Sequence, residues 1–162
     1  MKQTISVLVE NRAGILSRVT SLFARRAFNI DSLAVGVTDD PTISRITILV
    51  DDEVSDIVQV TSQLNKLVEV IKIRILEQTG IISRELMIIK VEATPETRQE
   101  IMTACDIMGA KVEDVTPTTM TLVITSSTEH LDIFQEILRP FNILEVSRTG
   151  AAAVQKGSGY LR

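Results

Sequence analysis

One order of local patterns appears twice along this chain, and a repeat of that kind leaves few folds open. Ile5, Val7 and Val9 alternate with Thr4, Ser6 and Leu8, which reads as a strand with a buried face. Ile15, Leu16, Val19, Leu22 and Phe23 then share one helical face, with Arg18, Arg25 and Arg26 elsewhere. Residues 27–37 read as a strand, Asp39-Asp40-Pro41-Thr42 as a turn and residues 43–50 as the returning strand. Asp51-Asp52-Glu53 sets acids where a helix N-terminus favours them, and Val54, Ile57, Val58, Thr61 and Leu64 supply that helix's inner stripe. A Val- and Ile-rich strand over 68–76 closes the set as βαββαβ.

The second set begins with a strand over 86–93. Thr94-Pro95-Glu96 is a helix start, Thr94 capping and proline taking the first helical position. Ile101, Ala104, Cys105 and Met108 face inward, and Gly109 ends the helix. Strands over 111–115 and 120–125 flank Thr116-Pro117-Thr118. Ser126-Ser127-Thr128-Glu129 fits a capping box for a helix that packs Leu131, Phe134, Ile137 and Leu138. Arg139-Pro140 stops it, and residues 142–147 form the last strand. The chain is therefore α+β, two tandem ferredoxin-like units. Their bounds are 1–77 and 84–150, joined by a linker at 78–83 and followed by a small, basic, mobile tail at 151–162. The first sheet looks apolar on both sides, with Ile71, Ile73 and Ile75 on one face of their strand and Val68 and Val70 on the other, which predicts a homodimer through that unit.

Several function classes lose their footing here. The apolar runs are short, no signal-peptide core precedes the first strand, and Cys105 is the single cysteine, so a cytoplasmic protein without disulfides is expected. His130 has no second histidine or cysteine to complete a ligand set and reads as a surface residue, while Cys105 reads as a small hydrophobe. No dinucleotide fingerprint or phosphate loop is present, so no catalytic or metal residue is assigned. RNA-recognition domains share this order of elements but stack bases on aromatic strand residues; aromatics are 3% of this chain, and its central strands carry Ile, Val, Leu and Thr. With a formal charge of −4 there is no general attraction for nucleic acid either.

A small-ligand module remains. The turn from Asn11 to Gly14 leads into a helix whose first N–H groups lack intrahelical acceptors and suit a carboxylate. Gly14 allows close approach, and the side-chain carbonyls of Asn11 and Asn29 can accept from an ammonium group. Leu16, Ile30 and Leu33 offer an aliphatic wall. Together they complement an apolar amino acid. On the residues alone a second reading stands beside it, in which Asn11 caps the helix, Gly14 eases the turn and Asn29 turns a corner.

The strings VLVENRAGILSRV, LFARRAFNIDSL and DDPTISRITI, followed by KLVEVIKI, RELMIIKV, VEDVTP and SRTG, resemble the regulatory small subunit of acetolactate synthase (acetohydroxyacid synthase) over nearly the whole chain. The resemblance implies that the first unit is an ACT domain, pairing side by side with a copy of itself as a homodimer. It implies a non-catalytic partner of a large subunit that carries thiamine diphosphate, magnesium and FAD, with no cofactor in this chain. It also implies activation of that subunit and feedback inhibition by a branched-chain amino acid, most often valine. The effector would lie between protomers, against Asn11, Ala13, Gly14, Ile15 and Leu16 of one and Asn29 and Ile30 of the other. Arg12-Ala13 and Gly36-Val37 depart from the family's usual pattern and bear on effector affinity and strand pairing. The alternative is a free-standing ACT-type amino-acid sensor acting on another protein.

Overall fold

The computed structural model describes residues 2–25, 27–51, 57–77 and 79–162. Arg26, the acids Asp52 and Glu53, Val54 and the first linker residue, Gln78, lie outside the described residues. Two compact units form, Met1–Ile82 together with Ala151–Arg162, and Ser83–Gly150.

In the first unit the alternating strand is β1 (Lys2–Glu10), at the centre of a sheet. It pairs antiparallel with β3 (Ile43–Asp51) and β4 (Val70–Leu76), and β2 (Ile30–Val37) pairs with β3, giving the order β2-β3-β1-β4. Ile5, Val7 and Val9 face helices α1 (Ile15–Arg25) and α2 (Ile57–Leu64), where they meet Val19, Phe23, Ile46 and Ile48. Each such fully buried side chain contributes about 1.5–3 kcal/mol. Helix α1 ends in a left-handed turn at Ala27 (φ 54°), with Phe28 N–H donating to Phe23 O at 3.0 Å. That closure takes up residues 27–29, so the next strand starts at Ile30 rather than at 27. Val58, expected inside, is 69% exposed, because α2 turns Val60 and Leu64 to the core with Ile57. Val68 is exposed in the turn before β4 rather than part of the strand.

The second unit repeats the plan. Strands β5 (Ile81–Glu92), β6 (Lys111–Val115), β7 (Thr119–Ser126) and β8 (Ile143–Arg148) follow the order β6-β7-β5-β8. Helices α3 (Arg98–Met108) and α4 (Thr128–Leu138) cover Met87, Ile89, Val91 and Leu122. The regular part of α3 starts at Arg98, preceded by a turn in which the Thr94 hydroxyl accepts from Thr97 N–H at 3.3 Å. Gly109, in the left-handed region, closes that helix onto Cys105 O. The cap of α4 is Ser127, accepting from His130 N–H. His130 is half-buried rather than a bare surface residue, its Nε2 3.0 Å from Met108 O. Ile137 points outward, 40% exposed.

Two boundaries differ from the expectation. Strand β5 begins at Ile81, so residues 81–83 of the expected linker are strand. Residues 151–162 belong to the first unit instead of forming a mobile tail. They include β9 (Ala152–Gln155), which pairs with β5, and they bury Ala151, Ala153 and Leu161. The sheet face away from the helices is also more polar than expected, since Ser6, Arg45, Thr47, Lys72 and Arg74 share it with Leu8 and Leu76. An apolar second face therefore does not supply the reason for pairing two copies.

The sharpest polar constraint in the second unit is Glu85, 4% exposed. Arg148 grips it with Nε and Nη2, each at 2.9 Å, and the Thr128 hydroxyl donates to it at 3.1 Å. A third bond, Arg148 Nη1 to Asp132 at 2.6 Å, ties β8 to α4. Arg148→Met leaves a buried carboxylate without its cation, and urea unfolding is expected to show a loss of about 3 kcal/mol.

Candidate functional site

Strand β1 ends at Glu10, opposite Ile43, and the chain crosses to α1 through Asn11–Gly14. Asn11 N–H donates to Thr42 O at 2.7 Å and Asn11 Nδ2 to Pro41 O at 2.9 Å. Asn11 therefore fastens the crossing to the β2–β3 turn and does not cap the helix. With Nδ2 donating there, Oδ1 is the side-chain atom left to accept a hydrogen bond. The turn beneath is itself braced. Asp40 Oδ1 accepts from Thr42 N–H at 2.9 Å and from the Thr42 hydroxyl at 2.6 Å. Those bonds, the hydroxyl's first, hold the Asp40 carboxyl below its usual range. Sequence spacing marks residues 39–42 only as a turn; Asp-Asp-Pro-Thr beside the end of the first strand is the available sign that it supports the site.

Gly14 sits at φ +88°, and a Cβ built there meets nothing within 4 Å. The backbone conformation favours glycine, and the space above it is open. Arg18 N–H donates to Gly14 O at 3.1 Å, the first helical bond of α1. No backbone carbonyl among the described residues accepts from the N–H groups of Ala13, Gly14, Leu16 or Ser17. Ala13 and Gly14 are exposed and Leu16 is 42% exposed, so donors and an aliphatic side chain stand together at the surface. Ile15 behaves differently, with its side chain in the core at 6% exposure. The carboxylate nearest in sequence, Glu10, pairs with Arg12 Nη1 at 2.9 Å, which offsets its repulsion of an anion.

Asn29 and Ile30 lie at the other end of the sheet. Ile30 pairs with Val50, whereas Asn11 is held by Thr42, eight positions earlier along the same segment. At ~3.3 Å per residue the two halves are roughly 26 Å apart in one protomer. Asn29 is exposed and its Nδ2 donates to Asp31 at 3.2 Å, again leaving Oδ1 to accept. One chain thus assembles Asn11, Ala13, Gly14 and Leu16, and a separate surface bears Asn29 and Ile30.

Two grooves stand out among the described residues of the first unit. One, of about 970 Å³, lies on the sheet face away from the helices, between Leu8, Arg45 and Thr47 below and Ala153, Tyr160 and Leu161 above. The other, of about 430 Å³, lies along α1 near Arg18, Arg25 and Gln63. Neither is lined by the residues expected to hold an effector. Among the described residues no group of three or more His, Cys, Asp or Glu is placed to hold a metal ion. No described helix is long and apolar enough to cross a membrane.

Comparison with known proteins agrees with both units. Residues 5–72 match the family model of the acetolactate synthase (AHAS) small subunit-like ACT domain, and residues 84–157 match that of the small subunit of acetolactate synthase. The chain is 46% identical over 154 residues to the acetolactate synthase small subunit of Mycolicibacterium smegmatis, covering 95% of this chain and 91% of that one. It is 39% identical to the isozyme 3 small subunit of Salmonella typhimurium over the full length of both. The crystal structure of the acetolactate synthase small subunit from Thermotoga maritima superimposes with a TM-score of 0.88 at 33% identity, covering 98% of this chain and 99% of that one.

The open space at Gly14 separates backbone from packing effects. Gly14→Ala is expected to lower stability by about 1 kcal/mol, the cost of a left-handed alanine, with no added loss from a clash. Denaturant unfolding measures this, and a cost several times larger would show that the loop is crowded.

Proposed function

From the premise that the chain belongs to the acetolactate synthase small-subunit family, we propose that it activates a thiamine-diphosphate-dependent large subunit and confers feedback inhibition by a branched-chain amino acid, valine first. The observation that carries the effector site is the division of its residues between opposite ends of one sheet. Strand β2 is an edge of that sheet, with Val35 48% and Val37 58% exposed. Pairing β2 antiparallel with β2 of a second copy lays Ile30 of one chain beside Val37 of the other. Val37 pairs with Ser44, next to the turn that fastens Asn11. A two-fold homodimer through this edge thus joins the donor loop of one protomer to Asn29 and Ile30 of its partner, and does so twice. Gly36, with nothing within 4 Å of a built Cβ, leaves room along that edge for a neighbouring strand.

In this reading the effector carboxylate lies on the N–H groups of Ala13, Gly14, Leu16 and Ser17, where the start of α1 favours negative charge. The ammonium group lies on the Asn11 and Asn29 carbonyl oxygens, and the side chain lies against Leu16 and Ile30. Because the site is made of two chains, occupancy favours one arrangement of the dimer over others. The large subunit responds to which arrangement is populated, with a coupling of ~1–3 kcal/mol.

Gly14→Asp and Gly14→Asn test the placement as a pair, since both residues tolerate the left-handed conformation and differ mainly in charge. Calorimetry is expected to show valine affinity at least about tenfold weaker for the aspartate variant than for the asparagine variant, the ratio of one unfavourable charge contact. Equal affinities would remove the carboxylate from this loop. Reconstituted with the large subunit, the aspartate variant is expected to activate normally while resisting valine; parallel loss of both would show a shared surface.

A further inference from the structure

The residues after Gly150 close a surface that the rest of the first unit leaves open. Strand register fixes three rows across the sheet face away from the helices. Ser32, Leu49, Thr4 and Leu76 form one, Ala34, Thr47, Ser6 and Arg74 the next, and Gly36, Arg45, Leu8 and Lys72 the third. Ala151 N–H donates to the Ser32 hydroxyl at 3.3 Å, and Arg45 Nη2 donates to Ala153 O at 2.7 Å. Thr47 lines the same groove as Ala152 and Ala153. The chain then turns at Gly80, which accepts from Lys156 N–H at 2.6 Å and from Gln155 Nε2 at 2.9 Å. It returns past Arg74, whose Nη1 lies 3.8 Å from a Cβ built on Gly159. Lys72 Nζ meets Arg162 O at 2.7 Å, and Arg162 pairs with Asp39 at 2.6 Å. The loop so drawn encircles Ser6, Leu8 and Thr47, exposed by 0%, 4% and 4%.

This cover is held more by hydrogen bonds than by side-chain burial. Its buried side chains are Ala151, Ala153 and Leu161, and its terminal ion pair is exposed on both sides. It also imposes costs. The Ser6 hydroxyl is buried with no partner among the described residues. Arg45 loses water and faces Arg74, both of which disfavour its charge, and no carboxylate among the described residues pairs with it. The orphaned hydroxyl and the like-charge pair are costs of the closed arrangement, and they offset part of what the segment's hydrogen bonds and small apolar contacts contribute.

We propose that residues 151–162 form a displaceable strap over the first sheet, with Arg45 and Leu161 as its latches. Closed, it hides Ser6, Leu8 and Thr47. Open, it bares a mixed floor of Ser6, Leu8 and Thr47 ringed by Arg45, Lys72 and Arg74, without unfolding the sheet beneath. The strap thereby controls whether that face of the effector-binding unit is accessible, a device separate from the edge at β2.

Thr47→Cys places a thiol under the strap in the full chain. Native Cys105, buried in the second unit with its thiol pushed up to about 11 by burial and then by Asp106, is the internal reference. Labelling by a chromogenic disulfide reagent is followed with mass spectrometry to separate the two sites. The introduced thiol is expected to react slowly when Thr47→Cys is the only change, and about tenfold faster when Leu161→Asp or Arg45→Met is added, with the thermal unfolding midpoint unchanged. Ser6→Ala, which removes the orphaned hydroxyl, is expected to slow it. The proposal fails if the introduced thiol reacts as fast without Leu161→Asp as with it. It fails equally if labelling accelerates only in step with a falling midpoint, or if Ser6→Ala speeds the reaction.

Discussion

A four-stranded sheet has two faces and two edges, and the first unit has only two helices with which to cover them. That shortfall governs the rest. Helices α1 and α2 take one face and bury Ile5, Val7, Val9 and Ile48 there. The other face keeps its polar residues and is closed by the segment arriving from the far end of the chain, Ala151 to Arg162. Strand β2 stays bare along its outer side, with Val35 and Val37 in water. An uncovered edge of this kind is a liability unless something pairs with it.

The length of the sheet imposes a second condition. Asn11 belongs to the end where β2 turns into β3, and Ile30 to the end where β3 finishes. A free amino acid spans only several ångströms, so no single chain can close those groups around one. The donor loop is prepared in advance, braced from below by Asp40, Thr42 and Asn11, and shaped by the left-handed backbone at Gly14. Such bracing lowers the ordering cost of binding. On the proposed reading, a second protomer supplies the wall on its open side.

Much of the fold is legible in the residues because alternation and helical stripes report burial directly. Ile5, Val7 and Val9, the Ile101–Cys105 stripe and the Gly109 terminator all occupy the places their spacing indicates. Misreadings cluster where tertiary contacts overrule spacing. Val58 has the chemistry of a core residue but falls on the wet side of a short helix, and Ile137 does the same at the end of α4. The left-handed turn at Ala27 carries no glycine to announce it. The packing of residues 151–162 is invisible in the sequence, because alanines and a single leucine look like a tail until a distant sheet is found to need them. In the candidate site, the turn at Asn11 and Gly14 is recognisable from a strand meeting a helix. That Ile15 turns inward, that Asn11 bonds to Pro41, and that Asn29 lies far off depend on register, which no single segment encodes.

The central claim is that two chains share each effector molecule, and subunit mixing tests it most directly. Gly14→Asp spoils the donor loop, and Asn29→Leu spoils the opposing surface, so each variant alone should bind no valine. In an equilibrated equal mixture, half of the dimers contain one chain of each kind, and each of these holds one site built wholly from unaltered residues. Calorimetry should then recover about a quarter of the wild-type number of sites, at wild-type affinity. A mixture as inert as its components would show that each chain builds its site alone, and the two-chain account would be wrong.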